Sequence, residues 1–203
     1  SLAGDDKPGE VELEQAYIDI AFDRGTHLKA GLFLLPVGTL NETHEPDTFF
    51  GVERNPIEKN IIPTTWWEAG LALNGSTEGG LSWDVAVHSG LNVDTSGDKA
   101  WSIRSGRQKV SEAVAEEAAV TGRLSYSGSG FSVSAFAQYQ SDITQGQGAG
   151  DDKYDATLYG ATVDAGMGGF RLRGLIALWD IDGADIVTAG VDEQWGYYLE
   201  PSY

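Results

Sequence analysis

The chain has 203 residues, 41% of them hydrophobic, with Gly 27, Tyr 8, Trp 6, Met 1 and Cys 0. Its formal net charge of -18 argues against a nucleic-acid partner, which requires clustered cations to displace counterions from phosphates. The lack of cysteine removes disulfide frameworks and thiolate zinc sites, and no run approaches the roughly 18 consecutive apolar residues of a membrane-spanning helix.

Taken in order, the chain reads as strands near 10–22, 27–35, 64–73, 81–91, 117–126, 131–140, 155–165, 170–180 and 194–202. The opening Ser1-Leu2-Ala3-Gly4-Asp5-Asp6 has neither the basic head nor the apolar core of a signal peptide. Asp23-Arg24-Gly25-Thr26, the stretch from Asn74 to Gly80, Ser127-Gly128-Ser129-Gly130 and Gly166-Met167-Gly168-Gly169 are tight turns, where glycine supplies positive φ. Between them lie long loops near 36–63, 92–116, 141–154 and 181–193. Ser111 to Ala118 has a short helical composition, too short to be stable alone, and is read as loop.

Within the strands apolar and polar residues alternate. Leu81, Trp83, Val85 and Val87 oppose Ser82, Asp84, Ala86 and His88. Phe131, Val133, Ala135, Ala137 and Tyr139 oppose Ser132, Ser134, Phe136 and Gln138, and Phe170, Leu172, Ile176 and Leu178 oppose Arg171, Arg173 and Ala177. Successive strand residues face opposite sides of a sheet, so each strand has one oily and one polar face. Strands of about ten residues, joined by short turns at one end and long loops at the other, form the pattern of an outer-membrane barrel. Trp66, Trp67, Tyr126, Phe131, Tyr139, Trp179, Trp195, Tyr197 and Tyr198 fall near strand ends, where aromatic girdles are expected. Nine strands are an odd number, so the expectation is part of a larger barrel.

The 36–63 loop carries Pro46, Pro56 and Pro63 with Phe49 and Phe50, a stiff and partly apolar segment suited to folding into the barrel mouth. Assigning faces puts Lys29, Arg123, Arg171 and Arg173 inward, with Asp19, Glu68, Asp84, Asp164 and Glu200. Arg54 and Lys59 lie on the long loop, and Arg104, Arg107 and Lys109 on the next. Lys29, Arg54, Lys59, Arg123, Arg171, Arg173, Glu68 and Asp84 are therefore the candidate pore-lining or selectivity residues, because rings of fixed charge select ions by sign. The bland reading of the same residues is cross-strand pairing that braces the wall. Asp180-Ile181-Asp182-Gly183 opens like a calcium loop, but Asp185 is out of spacing and no glutamate closes the ring. No metal site and no cofactor is expected.

Several motifs in order carry a resemblance. They are Glu14-Gln15-Ala16-Tyr17-Ile18; Leu28-Lys29-Ala30-Gly31-Leu32-Phe33-Leu34-Leu35-Pro36-Val37-Gly38; Asn41-Glu42; Glu53-Arg54-Asn55-Pro56; Ile61-Ile62-Pro63; and Trp66-Trp67-Glu68-Ala69-Gly70. Gly122-Arg123-Leu124-Ser125-Tyr126 and Trp195-Gly196-Tyr197-Tyr198-Leu199-Glu200 add to them. Together they resemble the phosphate-selective porin O/P family of outer-membrane channels. That resemblance implies a 16-stranded barrel of which about half is present, a homotrimer, and a loop folded into the lumen. It implies residence in the outer membrane of a Gram-negative bacterium, against lipid and lipopolysaccharide, with small anions or hydrophilic solutes as permeants and a phosphate-like anion preference.

Three rivals belong to other classes. An enzyme needs a nucleophile, a base and an orienting group, and His27, His44 and His88 stand in no such motif; His88 is expected on a solvated wall. A soluble β-sandwich carbohydrate-binding module shares the alternation and turns, but need not put every short turn at one end. A non-conducting structural outer-membrane barrel differs only in a plugged lumen.

Overall fold

The computed structural model describes residues 13–203 apart from 24, 111–112, 149–151 and 185. Nine antiparallel strands follow in simple hairpin order: β1 (Ala16–Ala21), β2 (Thr26–Leu34), β3 (Trp67–Ser76), β4 (Leu81–His88), β5 (Ala119–Gly128), β6 (Phe131–Gln140), β7 (Tyr154–Met167), β8 (Phe170–Gly183) and β9 (Glu193–Ser202). Each pairs with its sequence neighbours, and β1 and β9 do not meet, so the all-β sheet is open rather than closed into a barrel. No second sheet packs on it among the described residues. None of the described helices is long and apolar enough to cross a membrane.

The strands emerge from turn chemistry and alternation. Gly80, Gly130, Gly168 and Gly169 adopt positive φ in the short turns, which all lie at one end of the sheet. At the opposite end run the loops 35–66, 89–118, 141–153 and 184–192. The segment from Ala113 to Ala118 holds no helix, while Ser111 and Glu112 lie outside the described residues.

Register carries each face across the sheet. One row runs Lys29, Ala72, Ala86, Thr121, Gln138, Leu158, Trp179 and Gln194; the row beside it on the other face runs Leu28, Leu73, Val85, Gly122, Ala137 and Tyr159. The first face is covered by the long loops and is called inner; the second is bare and is called outer. In β6, outer residues Phe131 to Tyr139 are exposed at every second position, while Phe136, Gln138 and Gln140 between them are buried.

The inner face is split along its length. Toward the loops it is apolar: Ala156, Leu158, Trp179 and Ile181 on the strands meet Leu35, Val37, Ile62, Trp66, Leu91, Ile103, Ile143 and Ile186 from the loops. Toward the turns it is polar, with Asp19, Lys29, Asp84, Arg123, Asp164, Arg171 and Arg173. Trp66 and Trp179 are fully buried here, with ring centroids 6.3 Å apart, so neither belongs to an outward girdle. Tyr198 is also inward and buried.

Buried amides stitch the loops to the sheet. Asn41 donates through Nδ2 to the carbonyls of Leu35 (2.8 Å) and Trp66 (2.9 Å) and accepts from the Trp66 N–H (2.7 Å). Gln140 likewise accepts from Leu91 N–H at 2.9 Å and donates to the Leu91 carbonyl at 2.8 Å. These bonds satisfy backbone groups that irregular chain would otherwise bury unpaired.

Trp179 fills the centre of this core and donates its indole N–H to the Ile61 carbonyl at 2.8 Å. Trp179→Ala is expected to cost about 3–5 kcal/mol, because a large cavity cannot collapse and the carbonyl loses its donor. The urea midpoint of the intact protein checks this; a loss under about 1 kcal/mol would place the indole outside the core.

Candidate functional site

The polar part of the inner face is organised around loop 35–66, which crosses it as a strap. Its seat begins with a short helical turn, α1 (Ile57–Asn60), pressed on β9: a Cβ at Gly196 would come within 2.4 Å of the Ile57 side chain, so glycine leaves room for the strap. Glu58, fully buried, accepts from the backbone N–H of Thr39 (2.9 Å) and Leu40 (2.6 Å) and from the Tyr198 hydroxyl (2.5 Å). Asn55 donates to Glu200 at 2.9 Å.

Further along the strap two charged stations hold it to the sheet. At the first, Arg123 on β5 pairs with Asp84 on β4 at 2.9 Å and with Glu42 of the strap. At the second, Arg171 donates through Nε and Nη2 to the two oxygens of Asp164, at 2.6 and 2.8 Å. Arg173 meets the same carboxylate at 3.4 Å, donates to the Thr48 carbonyl of the strap at 2.9 Å, and lies 4.2 Å from the Phe50 ring. Two carboxylates thus face one guanidinium at the first station, and two guanidiniums face one carboxylate at the second.

The remaining candidates lie elsewhere. Lys29 sits over the Tyr17 ring at 5.1 Å near the β1 edge. Glu68 is fully buried beneath the loops, accepting from Trp66 Nε1 at 2.8 Å and from the Ser89 hydroxyl. Arg54 donates to the Thr64 carbonyl and lies 5.8 Å from the Phe49 ring. Lys59 is exposed, and its carbonyl accepts from Arg104 at 2.8 Å. Asp84, Arg123, Arg171 and Arg173 are therefore gathered under one strap, whereas Lys29, Glu68 and Lys59 are not. His88 is inward as expected but is buried rather than solvated, 2.8 Å from the Thr121 hydroxyl and edge-on to Trp66.

Sequence reading missed Glu58, Asn55 and Tyr198 as strap anchors. Glu58 and Tyr198 are 140 positions apart, and neither stands in a local pattern that announces the other. The apolar loop end of the inner face did leave a signal: Leu175, Ala177 and Trp179 of β8 share the parity of Arg171 and Arg173, so that face changes from charged to apolar along the strand.

Burial drives the Glu58 carboxyl above its ordinary value of 4.5, against the opposing donors Tyr198, Leu40 and Thr39 and the charge of Arg173. The folded state therefore binds this proton more tightly than the unfolded chain. Its contribution to strap stability is complete below pH 4.5 and fades as pH rises through the folded-state value. Protection of loop 35–66 from protease should fall as pH rises above 4.5, and Glu58→Gln should remove that component of the dependence. Identical pH profiles for wild type and Glu58→Gln would refute Glu58 as a titrating anchor of the strap.

No family model matches the chain, and no solved structure matches it. It is similar to an uncharacterized protein of Aquifex aeolicus (strain VF5), 39% identical over 126 residues, a match covering 62% of this chain and 29% of that protein. The match therefore spans under a third of the relative's length.

Proposed function

We propose that the nine strands are part of the wall of an outer-membrane β-barrel porin that passively conducts small hydrophilic solutes or ions, with the inner face lining the lumen. The observation that carries this reading is the bare outer face. Ile18 is 68% exposed, Leu71 55%, Leu124 54%, Ile176 53% and Leu199 62%, all on the same side of one sheet. A soluble protein rarely leaves so broad a contiguous apolar surface uncovered. On the outer face of the strands carboxylates occur only at the loop ends of β7 to β9: Asp155, Asp180, Asp182 and Glu193.

The dimensions support lipid contact. The outer row from Phe131 to Tyr139 spans nine residues, about 30 Å of strand, which a tilt near 40° reduces to a band of roughly 23 Å. Aromatic pairs mark its two borders: Tyr126 and Phe131 near the turns, 5.9 Å apart, and Trp195 stacked on Tyr197 near the loops, 6.4 Å apart. Closing such a wall needs strands beyond β1 and β9, because unpaired edges are too costly in hydrocarbon. The strap narrows the lumen, and the second station, with two guanidiniums to one carboxylate, is the source of a weak anion preference.

The full-length protein in planar bilayers should give stepwise conductance, and absence of conductance would reject the channel. Reversal potentials in a salt gradient should move toward cation preference in Arg171→Ala and Arg173→Ala; unchanged potentials would remove both as filter residues. Leu124→Arg, an outer mid-strand change, should cost about 2–4 kcal/mol of stability in lipid, whereas a cost near zero would put that face in water.

A further inference from the structure

Phe50 of the strap rests its ring against two guanidiniums of the sheet. The Arg173 Cζ lies 4.2 Å from the ring centroid and the Arg171 Cζ 5.7 Å. The two arginines stand two residues apart on β8, so both side chains belong to the inner face. Arg173 is buried and makes the floor of this contact, whereas the Arg171 side chain is 53% exposed and makes an open flank.

The edges of both guanidiniums are already engaged. Arg171 gives Nε and Nη2 to Asp164, and Arg173 gives Nε to the same carboxylate and Nη1 to the Thr48 carbonyl. A forked oxyanion binds guanidinium edges, so it would have to displace Asp164. What the station still offers is the attraction of two cations for the face of an aromatic ring within about 6 Å. Phe50 takes that place from inside the protein.

Little else holds Phe50 there. Residues 51–53 beside it are exposed, and among the described residues no backbone-to-backbone hydrogen bond involves residues 50–54. Segments of this kind open at low free energy. A cavity of about 490 Å³, lined in part by Ser132, Asp164, Gly166 and Arg171, adjoins the Arg171 flank and gives a solute an approach to the ring.

We propose that Arg171 and Arg173 form a seat for the ring of a small aromatic solute, and that Phe50 is its built-in competitor, displaced when such a ring binds. The ring face is what the seat recognises, so a saturated ring of the same size and polarity is a poor substitute. This goes beyond conduction and does not rest on it, because binding is read on the protein in detergent.

The test is calorimetric titration of the full-length protein with benzamide and with cyclohexanecarboxamide, two uncharged amides that differ in the aromaticity of the ring. Phe50→Ala should bind benzamide about tenfold more tightly than the wild type does, and about tenfold more tightly than it binds the saturated amide. Adding Arg173→Gln to Phe50→Ala should abolish that preference. In the wild type, benzamide should quicken chymotryptic cleavage after Phe50, and cyclohexanecarboxamide should not. Equal affinity for the two amides in Phe50→Ala, a preference that survives Arg173→Gln, or a cleavage rate unmoved by benzamide overturns the seat. Should the variants not fold, the cleavage contrast in the wild type decides alone.

Discussion

Registration between neighbouring strands is the constraint on which this molecule depends. In an antiparallel meander each residue lies opposite one that shares its face, and a slip of one residue would move every side chain to the wrong side. Here eight successive pairings keep one face free of charge along most of its length and concentrate polar groups on the other. The two faces cannot exchange environments. The bare apolar side chains of Leu124, Ile176 and Leu199 call for a non-aqueous partner, which the proposed lipid contact would supply, whereas Asp84, Arg123 and Asp164 call for polar surroundings. Only a strict period of two keeps the two sets apart.

The strap is a consequence of that separation. Loops leaving the apolar end of the inner face carry Leu35, Val37, Ile62 and Leu91 into contact with Leu158 and Trp179, which fixes where the chain re-enters the sheet. From that anchorage residues 39–58 reach over the polar half, where Glu42, Thr48, Asn55 and Glu58 find partners on strands that lie far away in sequence. Apolar packing holds the strap in place, and polar contacts set its height above the sheet. The charged stations do not neutralise alike: the surplus is negative around Arg123 and positive around Asp164. An electric field across the inner face follows from that asymmetry.

Much of the sheet was legible in the sequence because its signals are local. Turn glycines and alternation placed eight strands within three residues of their observed bounds and put Lys29, Arg123, Arg171 and Arg173 on one shared face. The first, read as 10–22, is observed only at Ala16–Ala21, and its start at 10–12 lies outside the described residues. What escaped was set by long-range packing. Trp66 just ahead of β3, Trp179 in β8 and Tyr198 in the middle of β9 are aromatics that serve equally as girdle or core residues, and loops not yet placed decided between the two. Glu58 is a carboxylate in an acidic loop until Tyr198 and the backbone of Thr39 and Leu40 surround it. Asp84 and Arg123, directly opposite on adjacent strands, could be paired from alternation alone, whereas the third member, Glu42, could not.

Because the chain has Cys 0, single cysteines can report the environment of each face without background. The most direct measurement places one at a time at Leu124, Ser125, Val133 and Ser134 in the full-length protein reconstituted in lipid vesicles, and compares a water-soluble thiol reagent with a membrane-soluble one. Alternation is the result required here: Ser125 and Ser134 react with the aqueous reagent, Leu124 and Val133 only with the lipid-soluble one. Equal aqueous labelling at all four positions would show that water bathes both sides, and the separation of the two faces by lipid would be wrong.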